Sequence, residues 1–82
     1  MKTIQTALIH MVDAIEDTPG FPFGEDLRAA SDLVDRLPLA SPAEVAKRLQ
    51  SLIDGARSMT AFPFGADIEE AEACLADWRA TQ

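Results

Sequence analysis

The sequence predicts an all-α fold, a compact four-helix domain built from two tandem helical hairpins with pseudo-two-fold symmetry. Apolar residues recur at the three-to-four spacing of a helix face in four segments, and no segment has the period-two alternation of a strand. The chain also repeats itself at an offset of 41 residues. A chain of 82 residues builds one hydrophobic core. We therefore expect a single helical domain, 1–82, with internal repeats 1–41 and 42–82.

The repeat is visible when the first half of the chain is aligned without gaps on the second half. Eight positions are identical, and four of them form the tetrapeptide FPFG, which stands at 21–24 and again at 62–65. The apolar positions keep the same phase, so that Met11 aligns with Leu52 and Val34 with Leu75. A shared tetrapeptide with a shared apolar phase indicates a tandem duplication.

The first half predicts two helices, near residues 2–17 and 23–37. Pro38 ends the second of them, because proline disfavours helical geometry in the residue before it. Thr18, Pro19 and Gly20 break the chain between the helices. The expected buried faces comprise Ile4, Ala7, Leu8, Met11, Val12 and Ile15 in the first helix, and Leu27, Ala30, Leu33, Val34 and Leu37 in the second.

The second half predicts two further helices, near residues 42–57 and 64–80. Ser41 is a suitable N-cap, Pro42 suits the first helical position, and Glu44 follows the cap by three residues. The expected buried faces comprise Val45, Leu49, Leu52, Ile53 and Ala56 in the third helix, and Ile68, Ala71, Cys74, Leu75 and Trp78 in the fourth.

The FPFG segments lie in both halves between one predicted helix and the next. The facing helices carry many alanines, so bulky phenylalanine rings from the connectors can fill the ends of the bundle. We therefore interpret FPFG as architecture and expect at least one ring of each pair to be largely buried. The alternative is an exposed ligand whose rings enter a groove on a partner.

Side chains suited to catalysis or metal binding are few. His10 is the only histidine and follows no ligand-rich pattern, and Cys74, the only cysteine, shares an apolar face with Leu75 and Trp78. One cysteine and one histidine do not make a zinc motif, and phosphate-binding glycine loops and calcium-loop patterns are missing. We expect no enzyme activity, no catalytic residue, no cofactor and no metal.

Acidic residues are the most distinctive feature, since the formal net charge is −7. Glu16 and Asp17 fall near a helix carboxyl end, where negative charge opposes the helix dipole. Their counterparts in the second half are Arg57 and Ser58. The candidate partner-binding residues are Asp13, Glu16, Asp17, Glu25, Asp26, Asp67, Glu69, Glu70 and Asp77.

An acidic surface disfavours nucleic acid and anionic membrane and favours a protein partner with a basic surface. The leading functional hypothesis is a small non-enzymatic protein-binding module, an inhibitor or immunity factor of the nuclease-inhibitor or anti-CRISPR type, which masks a basic, nucleic-acid-binding site. The alternative is a structural or assembly subunit that dimerises or docks through apolar surface. The unpaired cysteine and the shortness of the apolar runs favour a cytoplasmic location without a membrane span.

Overall fold

Four α-helices make up the architecture in a computed structural model that describes residues 3–18, 20–21, 23–59 and 64–81. The helices are α1 (Ile4–Glu16), α2 (Gly24–Asp35), α3 (Pro42–Arg57) and α4 (Gly65–Ala80), with a short 3-10 helix at Leu37–Leu39. No strand occurs within the described ranges. The all-α prediction and the four predicted helices are therefore confirmed.

The helices α1 and α3 hold the bundle together. Helix α1 packs against each of the other three helices, and α3 packs against α2 and α4 as well. Their apolar faces form one continuous cluster, to which the partly buried Leu27, Val34, Leu37, Ile68 and Trp78 are added at the edges. The buried members of this core are Ile4, Ala7, Leu8, Met11, Val12, Ile15, Ala30, Leu33, Val45, Ala46, Leu49, Leu52, Ile53, Ala56, Ala71, Cys74 and Leu75.

The helix boundaries follow the predicted chemistry with one difference. Ser41 caps α3, since its hydroxyl oxygen accepts a hydrogen bond from the Glu44 amide at 3.2 Å. Helix α2 ends at Asp35 rather than 37, because Pro38 disfavours α geometry at Leu37 and the chain continues as a 3-10 helix. Gly20, which follows α1, has a φ of 83°, the left-handed conformation that favours glycine.

Each FPFG segment leads into the helix that follows it. Phe23 and Phe64 are the N-cap residues of α2 and α4, with nearly equal backbone angles of −110°, 60° and −111°, 54°. Phe21 is partly buried against the core, whereas Phe23 is 41% exposed. The prediction that at least one ring of each pair is largely buried is met only in part for the first pair, because Phe21 is partly buried. Phe62 lies outside the described residues, and Phe64 is partly buried.

The Phe21 and Phe23 rings sit against α3, which belongs to the other half of the chain. Their centroids are 5.8 Å apart in an edge-to-face arrangement. Gly55 of α3 faces both rings so closely that a Cβ atom there would lie 2.9 Å from Cζ of Phe21 and 3.0 Å from Cδ2 of Phe23. The rings therefore fill space that a larger residue at 55 would occupy.

Within the described ranges, every helix is too short or too polar to cross a membrane.

The arrangement of the halves as two hairpins with pseudo-two-fold symmetry remains a prediction.

Candidate functional site

Two acidic pockets lie where the start of one helix meets the side of another. The first acidic pocket, about 240 Å³ in volume, lies between α1 and the start of α4. The second acidic pocket, about 230 Å³, lies between α3 and the start of α2. The first is lined by His10, Asp13, Ala14, Asp17, Phe64 and Asp67. The second is lined by Phe23, Asp26, Ser51, Asp54 and Gly55.

The five residues that line the second acidic pocket all align with lining residues of the first in the internal repeat. Asp17 of the first pocket aligns with Ser58, which does not line the second. An offset of 41 residues carries Asp13 onto Asp54 and Ala14 onto Gly55. The same offset carries His10 onto Ser51, Phe23 onto Phe64 and Asp26 onto Asp67. Each pocket thus joins the first helix of one half to the FPFG end of the other half.

The first acidic pocket carries the richer chemistry. On α1, His10, Asp13 and Asp17 are spaced three and four residues apart, which places them on one helix face. On α4, Asp67 and Glu70 are three residues apart and face the same region. Nδ1 of His10 lies 3.1 Å from Oε1 and 3.3 Å from Oε2 of Glu70.

This His10–Glu70 contact joins the two halves at a partly buried position, since the side chains are 40% and 18% exposed. Asp67 is also partly buried. The equivalents of His10 and Glu70 in the second acidic pocket are Ser51 and Ala29, which cannot form such a pair. The two pockets therefore share aligned carboxylates and differ at the positions of His10 and Glu70.

Several of the nine predicted site residues converge, and others do not. Asp13, Asp17 and Asp67 line the first acidic pocket. Glu70 forms a hydrogen bond with His10, which also lines that pocket. Asp26 lines the second acidic pocket, and Glu25 lies beside it in the first turn of α2. The remaining three are exposed and line neither pocket: Glu16, Glu69 and Asp77.

Sequence reasoning missed the role of His10 in the first acidic pocket. His10 and Glu70 are 60 residues apart in the chain, so no local pattern linked them. Asp54 of the second acidic pocket was also missed. Its identity with Asp13 in the repeat alignment was the available signal.

The acidic pair at the end of α1 lies where it was predicted. Glu16 is the last residue of the helix and Asp17 its C-cap, both are exposed, and no basic residue occupies the last turn. At the equivalent end of α3, Arg57 is a favourable cation and pairs with Glu72 of α4. The two helix ends thus differ in charge.

Replacing Glu16 by Gln and Asp17 by Asn is expected to raise the free energy of unfolding by about 0.3–1 kcal/mol, because two charges that oppose the α1 dipole are removed. Urea unfolding at low and high salt measures the effect, which salt should diminish. The matched control is Glu25→Gln in the first turn of α2, which should have the opposite sign. Equal signs for the two variants would contradict this account.

Comparisons with family models, curated proteins and solved structures found no match. No family model matches the chain. No curated protein and no solved structure matches it significantly.

Proposed function

We propose that the protein is a non-enzymatic binding module that holds a basic protein surface through its acidic pockets. The observation that carries the proposal is the convergence of Asp13, Asp17 and Asp67 from two helices on one pocket that Phe64 also lines. Carboxylates beside an aromatic ring suit a lysine or arginine side chain, because the cation interacts with both the charges and the π face. The partner class proposed is one whose basic site normally binds nucleic acid, which an inhibitor or immunity factor would mask.

The second acidic pocket extends this proposal to two basic side chains. Asp26 and Asp54 line this pocket together with the half-exposed Phe23, as Asp67 and Asp13 line the first together with Phe64. A net charge of −7 would also attract a basic partner over a distance and accelerate the encounter.

The proposal includes the finer architecture, in which two tandem helical hairpins are related by a pseudo-two-fold axis. It is supported by the aligned lining residues of the two pockets and by the nearly equal cap angles at Phe23 and Phe64. It is also supported by the packing pattern, since exchanging α1 with α3 and α2 with α4 leaves the set of contacting helix pairs unchanged. Such an axis would relate the two pockets to each other.

The alternative function is an assembly subunit that dimerises or docks, and the protein exposes some apolar surface that would suit it. Leu39 is 90% exposed, and a pocket of about 280 Å³ between the start of α1 and the end of α4 is lined in part by Ile4, Cys74 and Trp78. Asp77 lies at this pocket as well. Single exposed apolar residues are normal on soluble proteins, however, and these features do not form one patch with the acidic pockets.

The binding proposal is tested with Asp13→Asn and Asp17→Asn together. Affinity capture from an extract of the producing organism, with mass spectrometry, identifies the partner. Binding is then measured at several salt concentrations. We expect the double variant to bind about tenfold more weakly, largely through a slower on-rate, and wild-type binding to weaken with salt.

The matched control is Asp32→Asn with Asp35→Asn, two exposed carboxylates on α2 outside the pockets. It changes the net charge by the same amount and should weaken binding far less. Equal losses of affinity in the two double variants would show that net charge, and not the pocket, determines binding. If neither double variant nor added salt changed the affinity, the binding proposal would be wrong and apolar assembly would be favoured.

A further inference from the structure

His10 and Asp67, which line the first acidic pocket, form with Glu70 a cluster of side chains that can ligate a metal ion. One ring nitrogen and one carboxylate oxygen from each acid all lie within 4.8 Å of one another. All three residues are partly buried. The cluster is held by two helices, because α1 presents the histidine and successive turns of α4 present the acids.

We infer that this cluster binds a divalent transition-metal cation such as Zn²⁺. An imidazole nitrogen with two carboxylate oxygens is a donor set that Zn²⁺ accepts, and three protein ligands leave a fourth position for water or another ligand. Zn–N and Zn–O bonds of about 2.0–2.2 Å place tetrahedral ligands roughly 3.4 Å apart. The 3.1 Å separation of Nδ1 of His10 from Oε1 of Glu70 is near this value. This contact is a hydrogen bond in the metal-free protein, so Zn²⁺ binding displaces the proton that bridges the two atoms.

Asp67 needs only a local adjustment to complete the site. The largest separation in the cluster is within 4.8 Å, and rotation of a partly exposed aspartate side chain covers the remaining difference. Asp13 and Asp17 line the same pocket and add negative charge around the cation without being required as ligands. A dication there offsets part of the repulsion among the four carboxylates.

The second acidic pocket provides a control within the same molecule. It has the equivalents of Asp13 and Asp67, which are Asp54 and Asp26, but Ser51 replaces the histidine and Ala29 replaces Glu70. The second acidic pocket thus keeps the two aligned aspartates but has fewer carboxylates, and it lacks both the nitrogen ligand and the Glu70 ligand. A specific site therefore binds one metal ion per chain, and nonspecific attraction to carboxylates would involve both pockets.

The test uses purified full-length protein and Zn²⁺ alone, with no partner present. Calorimetric titration measures stoichiometry and affinity, and NMR follows the imidazole resonances, which arise from a single residue because His10 is the only histidine. We expect one Zn²⁺ per chain and a shift of the imidazole signals that saturates with the same affinity. Zn²⁺ should also raise the melting temperature, since it binds the folded state.

Two variants and one matched control decide the outcome. His10→Ser installs the residue of the equivalent pocket, and Asp67→Asn removes a carboxylate ligand; each should weaken Zn²⁺ binding at least about tenfold. Asp26→Asn makes the same change at the equivalent position of the second acidic pocket and should leave the affinity unchanged. Circular dichroism verifies that all three variants remain helical.

The proposal is overturned if Zn²⁺ leaves the imidazole resonances unmoved, or if Asp67→Asn and Asp26→Asn weaken binding equally. Absence of binding at millimolar Zn²⁺ would overturn it as well. These outcomes are independent of the proposed function, because a basic partner could still bind the carboxylates of a protein that has no affinity for Zn²⁺. Conversely, Zn²⁺ binding to His10 would stand if no basic partner were found.

Discussion

Replacing Leu8 or Leu49 by alanine is expected to lower the free energy of unfolding by about 2–5 kcal/mol each. The two leucines occupy equivalent positions in the repeat, and both are 0% exposed in the centre of the core. Each truncation removes buried methyl groups and leaves a cavity that the surrounding helices fill only in part. Because a chain of this size has a total stability of about 4–12 kcal/mol, either variant should be close to unfolding.

Urea denaturation followed by circular dichroism measures this loss, with Leu39→Ala as the matched control. Leu39 is 90% exposed, so the same chemical change there should alter stability by less than about 0.5 kcal/mol. A comparable loss at Leu39 would show that this leucine is covered in solution, for example by a second copy of the chain. A negligible loss at Leu8 and Leu49 would contradict the position of the core.

Truncating Phe21 to alanine is expected to lower the free energy of unfolding by about 2–4 kcal/mol, somewhat less than for a fully buried ring. Phe21 packs on the core and against Gly55. Phe23 is 41% exposed, so truncating it to alanine should lower the free energy of unfolding clearly less. Thermal and urea unfolding of the two variants provide the comparison. Equal and negligible effects would favour the exposed-ligand interpretation of FPFG.

A double-mutant cycle with Gly55→Ala isolates the contact. In the wild-type background the new Cβ displaces both rings, so the variant should be destabilised although alanine favours helix over glycine by about 1 kcal/mol. In the Phe21→Ala background the half-exposed Phe23 ring can turn aside, and the same substitution should become stabilising. An unchanged effect in the two backgrounds would show that Phe21 does not rest on Gly55.

The sequence predicted the local structure well because its signals are local. The apolar periodicity placed every predicted core residue of α1 and α3 in the buried core, and Ser41 capped α3 as its position indicated. Pro38 stopped α2, but the helix ends at Asp35, two residues before the predicted end, and Leu37–Leu39 form a 3-10 helix. A proline disfavours α geometry in the residue before it without fixing the residue at which the helix ends.

The functional site was predicted only in part, because its chemistry depends on distant residues. The acidic residues were recognisable one by one, yet nothing local indicated that His10 would contact Glu70, 60 residues away. The repeat alignment pairs His10 with Ser51, whereas in space the histidine meets the start of α4. Only the packing of one half on the other brings the nitrogen and the carboxylates together.

The contacts between the two halves of the chain have a consequence for folding. Phe21 of the first half rests on Gly55 of the second, and His10 of the first half contacts Glu70 of the second. A half that formed alone would leave its first helix without the rings and carboxylates that cover it. These long-range contacts raise the contact order above that of helix pairs that fold by themselves. The chain should consequently fold and unfold as one cooperative unit, with no intermediate in which one repeat is native and the other is random coil.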